Sequence, residues 1–339
     1  MPWEDFEAIF RPEGVHQGVM QADPKKCTRP RGSSCQFCWD NCPFRAWELV
    51  DGQEPHLVAD HNCFSCYNCM VACPRNAISI VESYHVDAGG YFASAPHQLE
   101  AKLPMKPLDA DGNAAEWTAM EKAVLNRRSV RNFKDKPVPE HLIRRVLEAG
   151  RFAPSAGNCQ PWKFVVLTDK AIMDEINEGV WTAINMINTM YKDDELVKQL
   201  AAGFEMAPQT PGTFDPRLAF GGMGSIAKRY GPTLLNAPAI ILILEDERAI
   251  NAGGINVGIC GQNMNLVANS LGLGVCWVGF TTVASQIPPL AEKLGIVPPW
   301  KLLTSLAIGY PKFKQEGMVP REYRPVTWFR DGAAGPVDE

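Results

Sequence analysis

The chain has 339 residues, 46% of them hydrophobic and 21% charged, with a formal net charge of −5. That size suggests two or three domains with material for full cores, the charge gives nucleic acid no electrostatic reason to bind, and no apolar run approaches the roughly 20 residues that span a bilayer. The opening Met1-Pro2-Trp3-Glu4-Asp5 is acidic where a signal peptide would be basic, so the expectation is a cytoplasmic protein with neither nucleic acid nor membrane as partner.

Eight of the eleven cysteines fall between Cys27 and Cys73, and only Cys159, Cys260 and Cys276 lie beyond them. A chain this size has no need of disulfide staples at one end only, so the clustering points to metal. Cys63-x2-Cys66-x2-Cys69-x3-Cys73-Pro74 matches the spacing of bacterial two-cluster ferredoxins. Cys35-x2-Cys38-x3-Cys42-Pro43, preceded by Cys27, is the same pattern with one interval lengthened. In that arrangement three close thiolates serve one cubane and the Cys-Pro thiolate reaches the other. One [4Fe–4S] cluster is thus expected on Cys27, Cys35, Cys38 and Cys73, the second on Cys63, Cys66, Cys69 and Cys42. Zinc knuckles more often show separated cysteine pairs than a triple ending in Cys-Pro. Ile78–Val81 is expected to be the short strand that closes such a module.

Three regions are expected: a two-cluster ferredoxin-like domain over 1–85, an aperiodic linker over 86–115, and a second domain over 116–339. Within the last, Trp117, Met120, Val124 and Leu125 fall at helical spacing. Pro139 opens a helix with Leu142, Ile143, Val146 and Leu147 on one face. Strands are expected at Phe164–Leu167, Ala239–Leu244 and Leu302–Ile308, and helices over Ala171–Gln199 and Gly254–Leu271. The order predicts an α+β sheet packed by helices. Residues 204–235, rich in Gly and Pro, read as a lid. The lid and the helix around Trp181–Tyr191 are expected to line the site with Met186, Met190, Phe204, Met206, Phe214 and Phe220.

Arg127-Arg128-Ser129-Val130-Arg131 packs three guanidinium groups and a hydroxyl into five residues, an anion clamp matched to phosphate oxygens. Pro154-Ser-Ala-Gly-Asn158-Cys-Gln160-Pro-Trp162, Gly272-Leu-Gly-Val-Cys-Trp-Val-Gly279 and Leu306-Ala-Ile-Gly309-Tyr-Pro311 follow in order. Together these segments resemble the nitroreductase family over residues 117–328.

The resemblance implies a homodimeric, FMN-dependent reductase. It places Arg127, Arg128, Ser129 and Arg131 at the FMN phosphate and ribityl chain, and Pro154, Ser155 and Asn158, with Gln160 as a weaker match, on a segment reaching the flavin from the partner subunit. Trp277, Val278 and Gly279 would face the ring edge, Asn256 its polar edge, and Arg324, with Arg321 as alternate, the phosphate. The Gly-rich Gly253–Gln262 segment would permit close helix approach at the subunit interface. Cys260 and Cys276 are expected to be buried there, and Cys159 to be buried and inert. No histidine acid–base dyad is apparent. The expected function is reduction of a small electron-poor substrate (nitroaromatic, quinone or activated double bond), with single electrons arriving through the clusters from a ferredoxin, or with NAD(P)H as donor. The alternative is an iron–sulfur flavoprotein relaying electrons to a protein partner. An aromatic-lined pocket favours the first and a flat exposed flavin edge the second.

Overall fold

Short antiparallel ladders hold the cysteine-rich segment in shape. The computed structural model describes residues 15–86, 103–190, 222–250, 253–314, 317–321, 327–330 and 333–336. β1 (Val15–His16) pairs with β6 (His85–Val86), β2 (Val19–Ala22) with β5 (Ile78–Glu82), and β3 (Trp47–Glu48) with β4 (His56–Leu57). Two one-turn helices, α1 (Phe37–Asp40) and α2 (Asn68–Ala72), carry Cys38 and Cys69. The strand expected at Ile78–Val81 is β5, and the β1–β6 pair brings the two ends of the segment together near residue 85. Met20, Ala46, Trp47, Tyr67 and Ile78 form a small core around Cys38, Cys42 and Cys69.

Beyond the connector, α3 (Ala119–Asn126) starts at a capping box, in which the Thr118 hydroxyl accepts from the Glu121 amide at 3.2 Å and the Glu121 carboxylate accepts from the Thr118 amide at 2.7 Å. Among the described residues its apolar stripe meets no core: Met120 is 65% exposed and Val124 47%. α4 (Glu140–Arg151) follows Pro139 and buries Ile143 and Val146, with Leu142 and Leu147 packed alongside.

The remaining elements are β7 (Trp162–Leu167), α5 (Lys170–Met190), α6 (Gly224–Ala227), β8 (Ala239–Asp246), α7 (Ile255–Ser270), β9 (Gly274–Val278), α8 (Pro288–Lys293) and β10 (Trp300–Gly309), then a hairpin of β11 (Thr327–Arg330) and β12 (Ala333–Pro336). The main sheet is antiparallel in the order β7-β8-β10-β9. Its central strand β8 is buried on both faces, and period-2 alternation divides it. Ile240, Leu242 and Leu244 enter one core with α5 and α8, while Ala239, Ile241 and Ile243 enter another with α4 and α7. Each of these fully buried branched side chains contributes about 1.5–3 kcal/mol. Both cores therefore depend on one strand, and the α+β layering expected from the sequence is the one found.

The segment Gly274–Val278, read from the sequence only as a motif following a helix, is a strand at the sheet edge. The helix expected over Ala171–Gln199 is described to Met190, and its remainder lies outside the described residues. Among the described residues, no helix is long and apolar enough to cross a membrane. The cysteine-rich segment docks through Phe44, Phe64 and Tyr84, which join the core on the α5 side. Phe44 meets Phe64 edge-on at 4.7 Å between centroids, and Phe64 meets Tyr84 at 5.5 Å.

Candidate functional site

Seven of the eight clustered thiols fall into two neighbourhoods. Burial pushes the Cys38 thiol up to about 12, and Cys35 and Cys73 act on it in the same direction. Burial takes Cys42 to about 11 and Cys63 to about 12, with Cys66 adjoining both. It holds Cys69 well above the usual thiol range, with Cys66, Cys63 and Cys42 adding to the shift. Cys73 thus neighbours Cys38, and Cys42 neighbours Cys63, Cys66 and Cys69.

The two Cys-Pro thiols sit in matching environments. The Ala46 amide donates to Cys42 Sγ and the Ala77 amide to Cys73 Sγ, each at 3.3 Å and each from four residues on. Amides aimed at sulfur stabilise negative charge on it. Among the described residues, no three of these sulfurs lie within 4.8 Å of one another, whereas a zinc ion at about 2.3 Å from each would draw them to about 3.8 Å. A single zinc ion would thus require these thiols to move closer together. His16, Glu82 and His85 do place ligand atoms within 4.8 Å of one another. The two imidazoles there stack almost parallel at 4.3 Å, so one ion cannot lie in both ring planes.

A cavity of about 460 Å³ lies between this segment and the sheet edge. The cysteine-rich side supplies Asp40, Asn41, Cys42, Phe44 and Arg45; the sheet side supplies Arg131, Asn132 and Cys276 to Phe280. Gly222, Ser225, Ile226 and Tyr230 close a third wall. The strand β9 aims Trp277, Val278 and Gly279 here because the preceding segment runs beside it: the Val130 amide donates to the Val275 carbonyl at 2.9 Å, and Ser129 bridges Val275 in parallel. The same segment reaches across the boundary, with Asn132 Nδ2 donating to the Asp40 carbonyl at 3.0 Å. Arg45 lies over the Trp39 ring at 3.9 Å and donates to the Tyr230 carbonyl.

Arg127 and Arg128 do not line this cavity. They lie with Arg321: burial lowers the Arg127 pKa, with Arg321 adding to the shift, and burial followed by Arg127 lowers that of Arg128. Arg127 Nε and Arg128 Nη1 are buried without a hydrogen-bond partner. Three crowded guanidiniums with unused donors fit an oxyanion such as a phosphate. Arg321 is thus the late arginine that the structure brings to the pair, whereas Arg324 lies outside the described residues.

A match to the nitroreductase family model covers residues 124–310. The chain belongs to the nitroreductase family. It is an enzyme of that reductase type, and residues 1–123 lie outside the match. Over 200 residues it is 26% identical to a chloronitrobenzene nitroreductase of Comamonas testosteroni, covering 55% of this chain and 84% of the relative. Over 216 residues it is 27% identical to a 5,6-dimethylbenzimidazole synthase of Rhodospirillum rubrum, covering 60% and 85%. A crystal structure of a nitroreductase with bound FMN from Desulfitobacterium hafniense is similar at 20% identity and a TM-score of 0.48, covering 63% of this chain and all of that one.

The other nitroreductase-type positions are not gathered at the cavity. Pro154 and Asn158 are exposed on a turn in which the Gln160 amide donates to Ser155 Oγ at 3.0 Å. Asn256 is buried: its amide donates to Glu245 Oε1 at 3.1 Å, so within one subunit it supports the start of α7. Cys260 and Cys276 are buried, as expected, but Cys159 is exposed, because its turn projects beyond the start of β7. Trp181 and Met186 do not line the cavity: the Arg229 guanidinium covers the Trp181 ring, and Met186 is exposed. Met190 is the last residue of α5, and Phe204, Met206, Phe214 and Phe220 lie outside the described residues. From the expected lid, residues 222–235 do reach the cavity wall. Sequence reasoning missed Asp40, Asn41, Phe44 and Arg45, whose one signal was their position around Cys42-Pro43, and Asn132, whose signal was its place directly after Arg131.

Proposed function

We propose that this nitroreductase is FMN-dependent, receives single electrons through two [4Fe–4S] clusters, and reduces a small electron-poor substrate of the nitroaromatic, quinone or activated double-bond class. The observation that carries the reading is that Cys42, a thiol of the second set, lines the same cavity as Arg131 and the Trp277–Gly279 edge. FMN, when bound, supplies chemistry that accepts electrons singly and delivers them in pairs.

The chain's own groups take defined parts. Arg127, Arg128 and Arg321 neutralise the phosphate, and Arg324 is the further basic residue of that region. Ser129 and Arg131 hold the ribityl side, and the backbone of Trp277, Val278 and Gly279 faces the ring edge. Pro154, Ser155 and Asn158 act from a partner subunit in a homodimer, which suits the exposure of Pro154 and Asn158 here. Phe44, Tyr230 and Phe280 exclude water and offer flat apolar surface to an aromatic substrate. No histidine lines the cavity, and Asp40 is its one carboxylate among the described residues; protons come from solvent. A recess walled by aromatics favours substrate reduction over relay to a protein partner.

The deciding experiment is an anaerobic titration of purified holoprotein, following flavin absorbance as NADH, NADPH and then reduced ferredoxin are added. Bleaching by ferredoxin that disappears in Cys66→Ala supports the cluster-fed scheme. Rapid bleaching by a nicotinamide in that variant overturns it. Separately, Arg127→Ala is expected to weaken FMN binding 10- to 100-fold, matching about 1.5–3 kcal/mol for a charged hydrogen bond; unchanged retention on dialysis would sink the phosphate assignment.

A further inference from the structure

The segment Cys35–Cys42 faces two recesses. Inward, Asp40, Asn41 and Cys42 line the cavity already described. Outward, Cys35 and Phe37 line a wide groove of about 760 Å³ with Arg75, Lys312, Phe313 and the other edge of Asp40. The thiols divide in the same way, since Cys35 lines the groove and Cys42 the cavity. We propose that the outer groove is the docking surface for an acidic one-electron carrier protein of the ferredoxin class. The Cys27, Cys35, Cys38 and Cys73 side is then the entrance and Cys42 the delivery side. This rests on the reading that the thiols hold clusters.

Charge supports the assignment. Arg75 and Lys312 are exposed in the groove, Lys314 follows on the same strap, and Lys25, Lys26 and Arg31 are exposed on the turn that bears Cys27 and Thr28. Arg31 ties that turn together by donating to the Lys25 carbonyl at 3.0 Å. Two carboxylates stand among these cations, Asp40, which lines the groove and accepts from Gln36, and Asp23, which accepts from the Lys25 amide at 2.8 Å and faces Lys26 at 3.8 Å, and they leave the basic groups in excess. A basic face on a chain of net charge −5 runs against the whole-molecule field. Such a patch steers an acidic partner and selects its orientation.

The Phe37–Phe313 pair, with ring centroids 5.0 Å apart, supplies an apolar centre inside the basic rim. Small, transient interfaces of this kind are usual for electron-transfer encounters. Each encounter oxidises the carrier by one electron, so two encounters match the two electrons of one substrate reduction. A pyridine nucleotide is the competing occupant, but a wide groove beside Cys35 and away from Arg131 and Trp277 offers its hydride no acceptor.

The test is binding of a purified acidic two-cluster ferredoxin to anaerobic holoprotein by calorimetry at about 0.02 M and about 0.3 M salt, where screening lengths differ several-fold. Iron and acid-labile sulfide are assayed on the same samples. The double charge reversal Arg75→Glu/Lys312→Glu is expected to weaken binding at least tenfold at low salt. It should leave iron content and reduction by dithionite unchanged, and Arg144→Glu on α4 should have no effect. Equal ferredoxin affinity in the variant and the parent overturns the proposal, as does a loss confined to NADH or NADPH binding. Absence of iron and sulfide from the parent protein defeats the cluster reading instead, so the two failures are distinguishable.

Discussion

Glu245 is a buried carboxylate at the end of β8 that accepts from the Gly253 and Gly254 amides at 3.0 and 3.1 Å and from Asn256. It holds the first turn of α7, where amides lack intrahelical partners. Glu245→Ala removes the shared acceptor of two backbone amides and of the buried Asn256 side chain and is expected to destabilise the fold by about 1–3 kcal/mol, read from the urea midpoint. Glu245→Gln, which keeps one acceptor, should cost less. The two distant cysteines should behave oppositely. Exposed Cys159 is expected to be the first thiol alkylated in native holoprotein at pH 8, and Cys260, pushed up to about 12 by burial, to stay unmodified; mass spectrometry of digests decides this. Because the folded pKa of Cys260 lies above its unfolded value of about 9, its contribution is fully present below pH 9 and is lost as pH rises toward 12. The stability gap between the parent and Cys260→Ala should therefore narrow from pH 8 to pH 10.5.

At the scale of elements, two glycines set how closely segments approach. The α7 residue Gly261 lies directly under the Trp277 indole, where a Cβ would overlap the ring. Gly261→Ala is expected to displace β9, to cost about 1–3 kcal/mol, and to weaken FMN retention through the moved Trp277–Gly279 edge. Unaltered flavin binding in a destabilised variant would separate packing from site geometry. Gly18 plays the same part beside Cys63: its amide donates to the Cys63 carbonyl at 2.8 Å, and a Cβ would press on Ser65 and lie 3.2 Å from Cys63 Sγ. Neither close approach is readable locally, because the partner of each glycine comes from a distant part of the chain.

For the whole molecule, the outer faces of α3 and α7 have no partner among the described residues. Met120 and Val124 on α3 and Ile255 and Ile259 on α7 are exposed, and Gly258, between the two isoleucines, has nothing within 4 Å of a built Cβ. Exposed apolar stripes of this kind suit association with a second copy of the chain. Ile255→Arg/Ile259→Arg is expected to turn a dimer into a monomer in sedimentation experiments and to release FMN. A flavin-loaded monomer would show that Pro154, Ser155 and Asn158 are not needed across an interface.

Much of this architecture was written locally. The Cys-x2-Cys-x2-Cys-x3-Cys-Pro run, the capping box at Thr118, Pro139 and the apolar run of β8 each act within a few residues, where spacing and backbone preference decide the outcome. The crossed grouping of thiols is an expectation of the same kind, since a fixed ligand spacing leaves few geometries. The edge strand Gly274–Val278 was not legible, because a short run broken by Cys276 and Trp277 becomes a strand only by pairing with β10. Nor was the meeting of Cys42 with Arg131 and Trp277, or the basic groove around Cys35, Arg75 and Lys312. Those sites join residues far apart along the chain, and burial of Phe44, Phe64 and Tyr84 against the sheet core, a long-range packing event, is what brings them together.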